Sequence, residues 1–548
     1  MTSEKPEPLY YLHNYRTLLA WVRSRYGDLL SEAEIAYADQ FLELPEPAQA
    51  LLTRLITRKG ELFRLSKLAY QEIPDLPRAI APLQQLGWLT RSRMVSASDI
   101  FGLLSRAELT SWLGKYAGTK AAWLAEFAQV EAEDRPWDDW FSGASLPCNQ
   151  QLVGDLVAVT IMPFSDVYCL LFFGNHYQAL SEFVLAELGI FQYEQVGFSH
   201  ACRSFTSRVD LDAYRQLQGA REDVERDDDV AAALLNMPAA VGVSAWLIRR
   251  MQKFSFHLGV KLEQRGDYEA ALAVYSTCEF IEARARRVRV LEKLSRRQEA
   301  LALLNDAIAA PHSEAERQQL LRARPRLQRA LNIIPEKPVA FSPASSVLTL
   351  DLADNRVEQA VAAHFHLAAE PVCWTENSLW TGLFGLFFWP AIYAPIPGAF
   401  FNPFQARPKD LYHQSFASSR ADMLRDCWRL LDTSDYPRVL LQRYREKQGL
   451  QSPLVNWNQL SEDQLALALA CIAPEFLTAI FKRMLFDLKA NSSGFPDLIQ
   501  FYPAQQRFRL IEVKGPGDKL QDNQLRWLEF FDLQGIAAEV CYVRWTPT

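Results

Sequence analysis

The segment that most constrains the fold runs from Gly494 to Asp518, with the sequence GFPDLIQFYPAQQRFRLIEVKGPGD. Two apolar runs, DLIQFY and RFRLIEVKG, are separated by the turn-forming residues PAQQ, which predicts two adjacent strands joined by a hairpin turn. The segment LQDNQLRWLEFFDLQG that follows predicts a helix ending at Gly535, and AEVCYVRW predicts another strand. The C-terminal region is therefore expected to be mixed α/β.

Three charged residues, Asp497, Glu512 and Lys514, accompany these apolar strands. Because side chains alternate between the two faces of a strand, Glu512 and Lys514 share a face and Val513 points the other way. If the strands pair through the turn, Asp497 lies beside that same face. Two carboxylates and an ammonium group are suited to metal-assisted hydrolysis of a phosphodiester. A salt-bridged hairpin explains the same spacing, and the spacing alone leaves both interpretations open.

The rest of the chain is predominantly helical in pattern. Its 548 residues predict three or four domains, and we place the boundaries at 1–92, 93–220, 221–335 and 336–548. Two short helices meeting at LLSRAEL resemble the SAP modules that sit on DNA. The segments LEQRGDYEAALAVYSTC and LEKLSRRQEALALLNDAI match the grammar of tetratricopeptide repeats. The N-terminal and middle regions are therefore expected to be α-helical.

The charge distribution leaves room for contact with phosphates. The net charge of -7 argues against a uniformly basic nucleic-acid coat, but two short runs are locally basic. The run 282–297 carries seven basic residues against two acids. The run 54–67 carries five basic residues against one acid, and these are candidate DNA contacts: Arg54, Arg58, Lys59, Arg64 and Lys67. A solvated helix face is the alternative for each run.

Cysteine usage and hydropathy predict a reduced protein that does not cross a membrane. The eight cysteines include no CxxC pair and no spacing suited to zinc, which favours a cytosolic protein. The uncharged stretch 379–401 is interrupted by prolines after about a dozen residues, short of the ~20 that span a bilayer. We expect a buried core helix there, followed by a loop.

The residues around the charged strands resemble those of a known nuclease group. Pro496 precedes Asp497, the run Glu512–Asp518 reads EVKGPGD, and Gln524, Trp527 and Leu528 follow as QxxWL. This pattern resembles the VRR-Nuc branch of the PD-(D/E)xK nuclease superfamily. Over nearly the entire chain, the order of segments is similar to that of the Fanconi-associated nuclease family, in a form that we expect to be bacterial. The segments that carry this likeness are YYLHNY, LLTRLITRKGELFRLSKLAYQEI, the SAP-like pair, the tetratricopeptide-like repeats and GLFGLFFWPAIYAPIPGAFFNPFQARPKDLY.

The resemblance implies a restriction-endonuclease-like fold for residues 336–548 and a set of site residues within it. Glu376, Asp497, Glu512 and the carbonyl of Val513 would hold one or two Mg²⁺ or Mn²⁺ ions. Lys514 would orient or activate water, and Gln524 would support the site from the next helix. From the residues alone, Glu376 is an ordinary acid at a helix start.

The resemblance also implies a substrate. Members of the family are structure-specific nucleases that cut 5′-flap and related branched double-stranded DNA, degrade in the 5′ to 3′ direction and act in interstrand crosslink repair. Arg203 and Arg208 would belong to a pocket for the flap end, and Lys519 is a further candidate DNA contact. Asn523 departs from the lysine of some relatives, so the phosphate grip there is expected to be weaker.

The resemblance also bears on the binding partners, the oligomeric state and the location of the protein. We expect no ubiquitin-binding zinc finger, a monomer or a DNA-induced dimer, and a cytoplasmic, nucleoid-associated location in a bacterium or a nuclear one in a eukaryote. A junction resolvase or restriction-type nuclease would use the same site residues. A DNA-binding scaffold with an inactive site is the alternative outside the enzyme class.

Overall fold

The computed structural model describes residues 8–91, 93–141, 154–175, 191–335, 341–351 and 356–546. It divides into two compact units, Met1–Phe191 and Gln192–Thr548. The seven cysteines within the described ranges are free thiols, and Cys148 lies outside them.

The first unit is mainly helical, as expected, but it also contains strands that the sequence pattern did not predict. Strands β1 and β2 pair with β5 in a three-stranded antiparallel sheet, and β3 pairs with β4. Each strand has two to four residues, which is too short to show an alternating pattern. The described elements are α1 Tyr10–Tyr26, α2 Glu32–Glu43, α3 Glu46–Ile56, β1 Leu62–Arg64, α4 Leu76–Gln85, β2 Leu89–Thr90, β3 Met94–Val95, α5 Ala97–Leu103, α6 Arg106–Leu113, α7 Lys120–Val130, β4 Arg135–Pro136, β5 Leu156–Val159 and α8 Met162–Phe173.

The SAP-like sequence forms the predicted helix pair, α5 and α6. The Ser105 side chain accepts a hydrogen bond from the backbone N–H of Glu108. The Glu108 side chain in turn accepts a hydrogen bond from the backbone N–H of Ser105 at 2.7 Å. This reciprocal cap satisfies two backbone donors that a helix start otherwise leaves unpaired. Leu109 is fully buried beneath it.

The second unit begins with helical hairpins that confirm the repeat pattern. Consecutive helices from α11 to α15 pack on one another, and Ala271 and Ala300 are fully buried where the helices approach closely. Gly259 lies against the ring of Tyr275, where a Cβ would come within 2.6 Å. The helices are α9 Arg208–Asp227, α10 Val230–Leu235, α11 Ala245–Gln264, α12 Tyr268–Thr277, α13 Ala283–Lys293, α14 Arg297–Ala309 and α15 Glu314–Ala330.

A five-stranded mixed sheet follows, in the order β6-β10-β9-β8-β7. β8 and β9 are antiparallel and joined by the short PAQQ turn, as predicted, and helix α25 crosses over to β10, which runs parallel to β9. The elements are β6 Ser345–Leu350, α16 Val357–Phe365, β7 Val372–Trp374, α17 Ser378–Phe387, α18 Trp389–Ile392, α19 Ser415–Ser418, α20 Ala421–Leu431, α21 Tyr436–Lys447, α22 Glu462–Cys471, α23 Pro474–Phe486, α24 Leu488–Asn491, β8 Leu498–Tyr502, β9 Arg507–Lys514, α25 Asp522–Leu533 and β10 Ala538–Trp545.

The two faces of this sheet carry different cores. Leu510 and Phe508 of β9 join the large core that includes α17 and α25, whereas Ile511 and Val513 join a smaller core with Val361 of α16. The uncharged stretch 379–401 forms a buried helix followed by a loop, as expected, and its prolines Pro390, Pro395 and Pro397 are exposed. Within the described ranges no single helix is long and apolar enough to span a membrane; α22 and α23 pass that test only together, across a bend of 111°.

Candidate active site

The turn before β8 fixes the position of Asp497. Gly494 has φ +90°, and a Cβ there would meet the backbone of α25 at 2.8 Å, so this position requires glycine. Asn377 Oδ1 accepts hydrogen bonds from the N–H groups of Gly494 and Phe495, at 2.9 and 3.2 Å. Phe495 stacks on Trp527 with ring centroids 4.0 Å apart. The packing of α17 and α25 therefore holds the chain just before Asp497.

Asp497, Glu512 and Lys514 come together at the end of the β8–β9 pair. Asp497 Oδ2 accepts a hydrogen bond from Val513 N at 2.8 Å. Lys514 Nζ lies 2.7 Å from Glu512 Oε1 and forms an ion pair with it. Glu512 is fully buried and Lys514 is 8% exposed. The structure thus contains the ion pair of the salt-bridged hairpin and also a second carboxylate beside it.

Burial raises the pKa of both carboxyl groups. The pKa of Asp497 rises to about 6, because loss of solvent outweighs the hydrogen bond from Val513 and the charge of Lys514. The pKa of Glu512 rises to about 7, from burial first and from the neighbouring charge of Asp497 second, with Lys514 opposing both. Near neutral pH the pair therefore sits close to its protonation equilibrium, which is typical of groups that act in catalysis or bind cations.

Glu376 stands at the exposed rim of the site, in a strained backbone conformation. Its φ is +41°, in the left-handed region that residues other than glycine rarely adopt. The N–H groups of Thr375 and Glu376 both donate to the Asp497 carbonyl at 3.0 Å, and this shared acceptor holds the strained turn. Strain of this kind is maintained by the surrounding structure and concentrates at functional sites.

A divalent cation fits the buried carboxylate. The side chain of Glu512 is wholly buried, Lys514 Nζ lies 2.7 Å from its Oε1, and its Oε2 accepts no hydrogen bond from the described residues. Carboxylate oxygens are the ligands that Mg²⁺ and Mn²⁺ prefer. In the described ranges no three or more His, Cys, Asp or Glu side chains converge closely enough to hold an ion. Asp497, Glu512 and the Val513 carbonyl would thus form its centre, and a ligand role for Glu376 stays a prediction.

Sequence reasoning missed one acid that acts on this centre. The charge of Glu358, in the first turn of α16, raises the pKa of both Asp497 and Glu512, and on Asp497 it acts more strongly than Glu376 does. Val357 beside it lies 3.5 Å from the position of a Cβ on Gly515, directly after β9. From the sequence alone, an acid in the first turn of a helix indicates only a cap or a favourable interaction with the helix dipole. No local signal pointed to Glu358.

Gln524 and Lys519 lie near the site without joining it. The Gln524 side chain accepts a hydrogen bond from Gln521 N at 2.9 Å and caps helix α25. Within the described residues it makes no hydrogen bond to Asp497 or Glu512, and its predicted supporting role stays a prediction. Lys519 is exposed in the segment after β9.

The basic run in the first unit splits into internally paired and exposed residues. Arg64 is 4% exposed and donates to both oxygens of Glu108 at 2.8 and 2.9 Å, which ties β1 to the SAP-like pair. Arg54 pairs with Glu72 and lies over the ring of Tyr11, 3.9 Å from its centroid. Arg58, Lys59 and Lys67 are exposed, and Lys67 Nζ also lies 3.6 Å from Glu108 Oε1.

The two arginines predicted for the flap end lie at the start of the second unit. Arg203 is 9% exposed, and Arg208 contacts both oxygens of Asp212 at 3.1 Å, one helical turn further on. Their DNA-binding role stays a prediction, as does that of the basic residues in the first unit.

Two domain families match the chain. The VRR-NUC domain family matches residues 432–545, which include Asp497, Glu512 and Lys514. The family described as the FAN1 HTH domain matches residues 9–90.

Full-length relatives and solved structures are also similar. The Fanconi-associated nuclease 1 homolog of Pseudomonas aeruginosa is 42% identical, across 98% of this chain and 96% of its own length. Human Fanconi-associated nuclease 1 is 25% identical, across 97% of this chain and 62% of its own length. A crystal structure of paFAN1 bound to 2-nucleotide 5′-flap DNA with a gap is 41% identical, covers 100% of both chains and has a TM-score of 0.85.

Proposed function

The chain belongs to the Fanconi-associated nuclease family of metal-dependent, structure-specific nucleases, and from that premise we propose that it cuts 5′-flap and related branched DNA. The observation that carries the proposal is the buried pair Asp497 and Glu512 with Lys514 beside it, inside the region that matches the VRR-NUC domain. The flap DNA bound to paFAN1 supports the choice of substrate.

The residues of the site divide the work of phosphodiester hydrolysis. We assign Asp497, Glu512 and the Val513 carbonyl to cation binding, with Glu376 completing the set from the rim. A bound divalent cation would polarise the scissile phosphate and lower the pKa of the attacking water. Lys514 places a positive charge 2.7 Å from Glu512, where it would stabilise the negative charge that develops on the phosphate. The hydrogen bond from Val513 N orients Asp497 for its role.

The finer parts of the proposal concern the ion, the direction of degradation and the biological role. The oxygen ligands favour Mg²⁺ or Mn²⁺ over softer metals, and we propose either as the working ion. We further propose 5′ to 3′ exonuclease activity and a role in interstrand crosslink repair, in the bacterial cytoplasm with the nucleoid. These parts extend the nuclease activity that membership in the Fanconi-associated nuclease family supports.

The test is cleavage of a labelled 5′-flap duplex by the natural protein and by Asp497→Asn, with DNA binding measured in parallel without divalent ions. We expect cleavage by the natural protein with Mg²⁺ or Mn²⁺, and a loss of about 10³-fold or more in the variant. DNA affinity should change little. Asp487→Asn is the matched control, because Asp487 is a second aspartate whose pKa burial raises, but it caps α24 at Ala490 N, away from the site.

Two outcomes would contradict the proposal. If the natural protein binds the flap and leaves it intact with either ion, the DNA-binding scaffold replaces the nuclease. If it cuts four-way junctions symmetrically and faster than flaps, the resolvase interpretation replaces the flap nuclease. Labels at the 5′ and 3′ ends distinguish stepwise 5′ to 3′ degradation from a single incision.

A further inference from the structure

An open cleft of about 710 Å³ begins at Glu376 and extends away from the buried carboxylates. Its volume falls within the roughly 300–1,000 Å³ of small-molecule sites. The segment 449–459 between α21 and α22 forms one wall, and Tyr412 also lines the cleft. Of the described residues that line it, none is a lysine or an arginine, and Glu376 is the sole acid. The cleft therefore adjoins the site at Glu376, and its other lining residues are neutral polar, aromatic or apolar.

The wall is anchored against α17. A Cβ on Gly382 would come within 2.6 Å of Leu460, and one on Gly385 within 3.0 Å of Leu454, so these two glycines permit the wall to approach the helix. Leu454 and Leu460 are 2% and 1% exposed. Trp457 Nε1 donates to the Leu450 carbonyl at 2.7 Å, which closes the wall on itself. The cleft is thus preformed by packing.

Two side chains of the lining are suited to a flat polar molecule, the amide of Asn458 and the phenol ring of Tyr412. Asn456 and Gln459 bond to each other at 2.8 Å, whereas the exposed side-chain amide of Asn458 makes no hydrogen bond within the described residues. Tyr412 is 36% exposed, and the Arg407 guanidinium lies 4.9 Å from the centroid of its ring. An amide offers both a donor and an acceptor, and an exposed aromatic ring offers a stacking surface.

We propose that this cleft holds one unpaired nucleobase of the DNA strand beside the scissile phosphate, with the base stacked on Tyr412 and its edge hydrogen bonded to Asn458. The inference rests on the proposed function and adds a base subsite to it. A phosphate is a poorer occupant, because no cation among the described residues lines the cleft itself and the nearby Arg407 guanidinium lies over the ring of Tyr412. Nucleic-acid sites without sequence preference commonly hold single-stranded bases on aromatic side chains.

The test combines Tyr412→Ala with abasic nucleotides at successive positions on either side of the cut in a 5′-flap duplex. Removing a stacked base contact should lower kcat/KM by about tenfold. At the position whose base occupies the cleft, the abasic substrate should slow the natural protein by a similar factor and slow Tyr412→Ala no further. At every other position, the loss of kcat/KM from Tyr412→Ala and the loss from the abasic nucleotide should multiply. Tyr412→Phe should respond to the abasic substrates as the natural protein does.

Tyr502→Ala is the matched control, because the Arg507 guanidinium lies over the ring of Tyr502, 3.8 Å from its centroid. Asp497 comes directly before β8, whereas Tyr502 is at the far end of that strand. It should cut like the natural protein at every position. If the losses from Tyr412→Ala and from the abasic substrates multiply at all positions, the base subsite is refuted while the nuclease stands. If the natural protein cuts no flap, the proposed function fails instead. Fluorescence of 2-aminopurine in the uncut complex then tests the subsite alone: quenching at one position that Tyr412→Ala abolishes supports it, and uniform signals refute it.

Discussion

Metal binding by this site should be coupled to proton release, and the size of the coupling follows from the two raised pKa values. A cation requires Asp497 and Glu512 in their ionised forms. With pKa values of about 6 and about 7, both groups are ionised in about 5% of molecules at pH 6 and in about 90% at pH 8. The apparent affinity for Mn²⁺ should therefore rise about twentyfold between those two pH values. Ordinary carboxyl groups would give almost no change over that range.

The assay is isothermal titration of the metal-free protein with Mn²⁺ in buffers that differ in ionisation enthalpy. At pH 6 the two groups together hold about 1.4 protons, and nearly all of them should be released on binding; at pH 8 release should fall to about 0.1. Asp487→Asn should retain this behaviour. Equal affinity at the two pH values with no proton release would show that the buried pair is already ionised at pH 6 and that burial does not raise the two pKa values.

The same pKa values fix the sign of a stability effect without metal. Because both values are raised on folding, the folded protein binds more protons than the unfolded chain between about pH 4 and pH 7. The contribution of these groups to stability is therefore present at low pH and is lost as the pH rises through that window. Melting of the metal-free protein should show this trend, and the double variant Asp497→Asn, Glu512→Gln should show less of it.

Three other predictions concern the surroundings of the site and the first unit. Arg64→Leu should lower the free energy of unfolding by roughly 2 kcal/mol in denaturant titrations near neutral pH. Because Arg64 lowers the pKa of Glu108 to about 2, this loss should become smaller as the pH falls towards 2. Gly385→Ala should destabilise by about 1–3 kcal/mol in the same assay, since its Cβ would press on Leu454 at 3.0 Å; an unchanged midpoint would show that the wall gives way. Glu358→Gln should move proton release on Mn²⁺ binding to lower pH, because its charge raises both pKa values; an unchanged profile would remove Glu358 from the site.

The parts of the fold that follow from the sequence are those with a strong local pattern. The β8–β9 hairpin follows from two apolar runs around PAQQ, and the repeat helices follow from small residues at helix contacts such as Ala271. The three-stranded sheet of the first unit does not, because strands such as Leu62–Arg64 are too short to show a period. Its pairing depends on Leu156–Val159, far away in the chain.

The candidate site shows a similar limit. Asp497, Glu512 and Lys514 were predictable because strand alternation and one hairpin turn bring them together. Glu358 was not, since 139 residues separate it from Asp497 and only the packing of α16 on the sheet brings its charge close enough to act. The basic run 54–67 illustrates the opposite error: charge counted along the sequence does not reveal that Arg64 is committed to Glu108.

The arrangement of the site explains why its acids occupy buried strands at all. One lysine offsets part of the repulsion between Asp497 and Glu512, yet burial keeps both pKa values near neutrality. Near neutral pH, a second positive charge is therefore needed for both carboxyl groups to be fully ionised. A divalent cation supplies that charge. Glu512 Oε2 accepts no hydrogen bond from the described residues, so we expect this oxygen to contact that cation. Replacing Glu512 by Gln should weaken Mn²⁺ binding more at pH 8 than at pH 6, since at the lower pH the natural carboxyl group is already mostly neutral.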